Sequence, residues 1–148
     1  MRPMADVRAS RGTVELLRAV PIFQGLSRPE LRRVVEAGRE LEFPAGRMIV
    51  QEGAVASDFY LILSGRATVS RGLRSIRRLD TGDFFGEISV LDGGPRSATI
   101  MAETRLLAFR LSRTAFLRVL GTHRSIAAKL LQSMATRLRT AERASRHI

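Results

Sequence analysis

Cysteine is absent from this sequence, which at once removes disulfides, thiolate zinc sites, iron–sulfur clusters and cysteine nucleophiles, and fits a reducing compartment. Histidine is nearly absent, His123 and His147 being the only two. No apolar run approaches the roughly 18 residues of a membrane-spanning helix. The opening MRPMADVRASRG has no apolar stretch to act as a signal peptide, so the expected location is the cytoplasm. Acidic residues are scarce, 14 against 25 Lys and Arg for a net charge of +11, and of the 25 only Lys129 is lysine. Arginine is the preferred residue for bidentate phosphate contacts, so one reading of the excess is a nucleic-acid or anionic-membrane partner. The arginines are spread from Arg2 to Arg146 without a dense block, and the other reading is a set of solvated faces.

What remains is an ordinary globular composition. At 148 residues, 45% apolar and 26% charged, the chain has volume for one packed core and not for two domains. Residues 1–12 are expected to be a flexible terminus. Residues 13–20 (TVELLRAV) have helical spacing that Pro21 interrupts. Ser27-Arg28-Pro29-Glu30 spells a capping box, with Leu31, Val34 and Val35 as the buried face of the helix that follows and Gly38 as its stop. Helices are thus expected within 13–38.

Over 39–111 the period changes. Short runs (MIV, DFYLIL, ATVS, SIRRL, SATIMA, LLAFRL) are separated by Pro44–Gly46, Gly53, Ser64-Gly65, Arg71-Gly72, Asp80–Asp83 and Asp92–Pro95, the punctuation of a small β-sandwich or barrel. Helices return over 112–146. Ser112 opens the first. In the second, from residue 124 on, Ala127, Leu131, Met134, Leu138 and Ala141 recur at steps of four and three, drawing one apolar stripe. The stripe falls short of the three or four heptads of a coiled coil. It has two uses open to it: packing on its own chain, or pairing with the same stripe of a second chain in a homodimer.

The chemistry concentrates at 84–99, FFGEISVLDGGPRSAT. Gly86 permits a sharp turn into a short helix expected at 87–91, whose free amides can face an anion. Arg96 offers a planar fork of donors to a phosphate, and Ser97 a hydroxyl beside it. A carboxylate at Glu87 would repel a phosphate unless it had donors of its own to hold, and a ribose 2′-hydroxyl is one. Together they read as a sugar-phosphate pocket.

At these residues the sequence resembles the cyclic nucleotide-binding domain family of catabolite activators, kinase regulatory subunits and cyclic-nucleotide-gated channels. The resemblance spans nearly the whole chain: the IFQGL entry, glycines Gly46, Gly53, Gly65 and Gly82, the GDFFGE stretch, and PRSAT from Pro95 to Thr99. It implies a mainly β fold with flanking α, an eight-stranded β-roll between N-terminal helices and a C-terminal helical lid. It further implies phosphate binding by Arg96, Ser97 and Ala98, ribose binding by Gly86, Glu87, Ile88 and Ser89, and a base pocket at Val50, Val69 and Ile76. Where activator-type members carry an adjacent Thr-Ser pair for the adenine, this chain has Ala141-Glu142. Arg137, Arg139 and Thr140 are the candidates to cap the base instead, as an arginine does in channel-type members. Ser97 stands where cGMP-preferring members tend to carry Thr, which favours cAMP.

No helix-turn-helix follows the long helix, so a complete activator of that kind is not expected. A metal-dependent enzyme on a similar barrel needs His or carboxylate ligands on strands, and both histidines fall in the C-terminal part. With no Ser-His-Asp set or acid–base pair around the pocket, the expectation is a binding module without metal and not an enzyme. The runner-up is an arginine-rich nucleic-acid or protein-interaction module on the same fold.

Overall fold

The computed structural model describes residues 5–7, 11–55, 57–87 and 89–146. Strand β1 (Ala5–Val7) lies antiparallel to β2 (Arg39–Phe43). Within the terminus expected to be flexible, residues 5–7 thus form a strand that covers what would otherwise be an unpaired edge of β2; residues 1–4 and 8–10 lie outside the described residues. Helix α1 spans Arg11–Arg18, two residues ahead of the expected start. Pro21, which cannot continue it, opens a 3₁₀ turn, Pro21–Phe23. Helix α2, Arg28–Ala37, begins at the capping box: the Glu30 amide donates to Ser27 Oγ at 3.3 Å and the Ser27 amide to Glu30 Oε1 at 2.8 Å. Gly38 follows with φ −106°, so left-handed freedom is not its purpose. A Cβ there would overlap the Phe109 ring and the Arg110 carbonyl; glycine is what lets the sheet approach.

The strands of 39–111 continue as β3 (Met48–Val50), β4 (Phe59–Ser64), β5 (Ala67–Arg71), β6 (Arg74–Leu79), β7 (Phe84–Phe85), β8 (Thr99–Ala102) and β9 (Leu106–Leu111). With β2 they form the eight-stranded roll, and with β1 added at one edge the two antiparallel sheets are ordered β1-β2-β9-β4-β7 and β3-β8-β5-β6. Strand β4 explains why FYLIL is apolar at every position. Phe59, Leu61 and Leu63 turn toward the helices, where they meet Phe23, Phe109 and Phe116, while Tyr60 and Ile62 turn into the roll against Leu41, Phe43 and Leu106. Successive side chains of a strand point to opposite faces, and here both faces are covered.

Two helices close the chain, α4 (Arg113–Thr122) and α5 (Arg124–Arg146). Helix α5 docks through Ile126 and Leu130, both buried, and not through the expected stripe, of which Leu131 and Leu138 are 69% and 64% exposed. One residue's rotation around the helix separates the two sets. Packing on the roll is therefore not the use this stripe has. Polar contacts fix the root of α5 instead: Lys129 Nζ donates to Glu30 Oε1 at 2.6 Å, Ser125 Oγ to Glu30 Oε2 at 2.5 Å, and Ser133 Oγ to the Pro21 carbonyl at 2.8 Å. Glu30 thus caps one helix and anchors another.

Those donors, with Lys129 first and Ser125 next, lower the Glu30 pKa from 4.5 to about 2. A folded-state pKa depressed in this way contributes stability above the unfolded value that is lost as pH falls through the folded one. Glu30→Gln keeps a capping-box side chain but loses the charge. Its unfolding midpoint should lie below wild type by a constant amount above about pH 4.5, and the two should converge as pH falls toward 2. A difference independent of pH across that window would contradict the assignment.

Candidate functional site

The short strand β7 delivers the cassette. Phe85 pairs with Tyr60 across β4 and stacks on its ring at 4.9 Å with planes 16° apart. Gly86 then turns at φ +81°, a conformation L side chains avoid. A Cβ at Gly86 would also overlap the Asp58 carbonyl oxygen and Arg96 Nη1. The helix that follows, α3, spans Ser89–Asp92 and not 87–91, and it is closed by Val90 N–H to the Gly86 carbonyl at 2.9 Å and Gly93 N–H to the Ser89 carbonyl at 2.8 Å. At its end Arg113 Nη2 donates to the Leu91 carbonyl at 3.2 Å.

Across the turn, the backbone of Arg96 is held on both sides. Its amide donates to the Ala54 carbonyl at 3.1 Å, and its carbonyl accepts from Gly53 N–H at 2.8 Å. The side chain is only 6% exposed. Nη2 donates to the Asp58 carbonyl, and the guanidinium carbon sits 6.0 Å from the Tyr60 ring centre, the outer limit of a cation–π contact. Arg96 Nε has no hydrogen-bond partner among the described residues. Burial lowers the Arg96 pKa, and burial followed by the Asp58 charge raises that of Tyr60. A cation so desolvated, supported by the Asp58 charge and with a donor unused among the described residues, is suited to an anion brought to it.

Above Arg96 lies a cavity of 430 Å³ lined by Val50, Phe85, Gly86, Glu87, Ser89, Asp92, Gly94, Pro95, Arg96, Ser97, Ala98 and Ile100, within the range of small-molecule pockets. The expected phosphate residues Arg96, Ser97 and Ala98 and the expected ribose residues Gly86, Glu87 and Ser89 all lie on this lining. Ile88 lies outside the described residues. Of the base-pocket expectations, Val50 lines the cavity. Val69 is buried in the roll interior and Ile76 is exposed on β6, and neither reaches the lining. Arg139 and Thr140 border a separate hollow on α5 with Gln132, Ala135, Thr136 and Arg143, away from the cassette.

Arg137 does reach the site. Its Nη1 lies 3.1 Å from Glu87 Oε2 and its Nη2 3.5 Å from Oε1, so the forked cation of α5 meets the carboxylate of the cassette. The sequence suggested both residues but not their pairing, because 50 positions separate them. Asp58 and Tyr60, which seat Arg96, were not legible: Asp58 contributes a backbone carbonyl, which any residue has, and Tyr60 lies inside an apolar run. No group of three His, Asp or Glu among the described residues is placed to hold a metal ion.

The family profile of the cyclic nucleotide-binding domain matches residues 40–123. A cAMP-dependent protein kinase regulatory subunit of Eremothecium gossypii is 36% identical over 108 residues, 72% of this chain and 24% of that protein, so the chain spans about a quarter of such relatives. Among solved structures, the Thermus thermophilus catabolite activator protein superposes with a TM-score of 0.67 at 30% identity, over 83% of this chain and 60% of that one. The regulatory domain of Toxoplasma gondii PKA with cAMP superposes with a TM-score of 0.66 at 27% identity, over 84% and 49%.

Proposed function

The chain belongs to the cyclic nucleotide-binding domain family, and from that premise we propose that it is a cyclic-nucleotide sensor module, cAMP favoured over cGMP, whose ligand acts on helix α5. The observation that carries this reading is the buried Arg96 guanidinium with its unpartnered Nε at the floor of the cavity. A cyclic phosphate supplies the missing acceptors and one negative charge. Ser97 and the Ala98 amide border the same anion position, and Glu87 accepts from the ribose 2′-hydroxyl. The chemistry of this reading is recognition: the cavity's charged and polar groups hold the ligand. Calorimetric titration with cAMP and with cGMP tests the reading: one saturable site per chain, tighter for cAMP, is expected, and no heat from either nucleotide would overturn it.

The ribose role has its own test. In wild type, 2′-deoxy-cAMP should bind about tenfold more weakly than cAMP, the order of one hydrogen bond to a charged group. In Glu87→Ala that ratio should fall toward one. An equal penalty in both proteins would remove Glu87 from the ribose.

Arg137 connects the site to α5. A carboxylate has room for several donors, so a ribose hydroxyl and Arg137 compete for Glu87 or share it. Either changes the balance of α5, whose contacts through Ser125, Ile126, Lys129, Leu130 and Ser133 lie at its root. Bound cAMP should slow hydrogen exchange at residues 134–142, and deleting 135–148 should weaken binding while leaving the roll folded. The exposed stripe of Leu131, Met134 and Leu138 is then the surface through which a second chain or an effector reads the helix. Unchanged exchange at saturating ligand, with full affinity after truncation, would separate the pocket from α5.

A further inference from the structure

We propose that the tip of the β5–β6 hairpin, where Arg71 Nε donates to the Ser97 carbonyl at 3.1 Å beside the nucleotide cavity, is a docking surface for anionic lipid bilayers. Arg71 and Arg74 pair directly across the two strands, leaving a two-residue loop, Gly72-Leu73. Gly72 takes φ +57°, and Leu73 stands fully exposed at the apex. The neighbouring loop carries Val55, 83% exposed. The two loops are tied together, since Gly72 N–H donates to Glu52 Oε1 at 2.9 Å. Leu73 and Val55 are the two most exposed large apolar residues among those described, and both stand at this end of the molecule.

Cations flank them, beside the Glu52 carboxylate that holds the Gly72 amide. Residues 74–78 of β6 are exposed without exception, and they include Arg74, Ile76, Arg77 and Arg78. Arg78 is engaged by Glu103 at 3.5 Å, whereas Arg74 and Arg77 have no acidic partner among the described residues. An apolar apex flanked by unneutralised arginines matches a surface that offers negative headgroups above hydrocarbon. Two other partners fit less well. Residues 71–78 contain no aromatic side chain on which a nucleic-acid base could stack. Strand β6 is a sheet edge, but Arg77 sits opposite Val69 and Arg78 opposite Thr68. Charges on both faces are how an edge is closed to an added strand.

The test is sedimentation of the full chain with phosphatidylcholine vesicles, with and without about one-third phosphatidylserine. Wild type should bind the anionic vesicles and not the neutral ones. Each headgroup-facing arginine is worth about fivefold, so Arg74→Gln with Arg77→Gln should weaken binding roughly 25-fold. Arg32→Gln with Arg33→Gln, the same loss of charge on exposed positions of α2, should change it less than about threefold. Leu73→Ser, which alters no charge, should cost roughly tenfold. All these positions are exposed, and circular dichroism checks that each variant folds. Equal losses from the two arginine pairs, wild-type binding by Leu73→Ser, no binding to anionic vesicles, or stronger binding to an acidic peptide than to vesicles would each overturn the proposal.

Discussion

Arg96→Ala lowers the affinity for cAMP at least about thirtyfold, because removing one partner of a buried charge contact costs roughly 2 to 5 kcal/mol. The same substitution should leave the free protein nearly as stable as wild type. Burial opposes the charge of Arg96, as the lowered pKa indicates, and its Nε has no hydrogen-bond partner among the described residues. The alanine removes a desolvated cation and keeps the backbone bonds to Gly53 and Ala54. The two readouts therefore separate. Wild type at a ligand concentration about 100 times its dissociation constant gains about 2.7 kcal/mol, a rise in Tm of roughly 5–10 °C for a chain of this size, and Arg96→Ala at that concentration should show almost none of it. Arg96→Lys should fall between, since an ammonium keeps the charge but not the fork. A thermal shift retained in Arg96→Ala would place the phosphate elsewhere.

Gly86→Ala removes binding as thoroughly and damages the fold as well. The alanine would have to adopt φ +81° and displace either the Asp58 carbonyl or the guanidinium that hydrogen-bonds it. Backbone strain of this kind costs about 1–3 kcal/mol, or roughly 2–12 °C in Tm. The movable partner is Arg96, which is the residue the ligand requires. Gly72→Ala supplies the comparison. Gly72 also has positive φ, +57°, but a Cβ there meets nothing within 4 Å, so its substitution should cost some stability and leave affinity unchanged. Nucleotide binding by Gly86→Ala at wild-type affinity would show that the turn does not seat Arg96.

The fold was legible wherever a local rule governs. The capping box at Ser27 and Glu30, the β punctuation and the period of α5 depend on neighbours in sequence, and each forms as the spacing predicts. The helices shifted where a local rule has two solutions: α1 starts early because nothing at residues 11 and 12 forbids it, and Glu87 is not in α3 because the chain there is still in the Gly86 turn. The buried face of α5 is not set by a local rule. Ile126 and Leu130 form as good a helical pair as Ala127 and Leu131, and the choice is made by packing against the 3₁₀ turn, far back in the sequence, and against α4, which a single residue separates from α5. For the candidate site, glycine, carboxylate and arginine at 86, 87 and 96 were readable because their types are unusual in combination. The partner of Glu87 on α5 and the Asp58 carbonyl under Arg96 were not, since these contacts exist only after folding.

The most direct measurement of the central claim is the Nε–H resonance of Arg96 in a ¹⁵N-labelled chain, identified by its absence from Arg96→Ala and followed as cAMP is added. This proton, without an acceptor among the described residues, should move downfield and exchange more slowly at saturation, as a donor to a phosphate oxygen does. A resonance that stays in place while the nucleotide saturates its site would contradict the account.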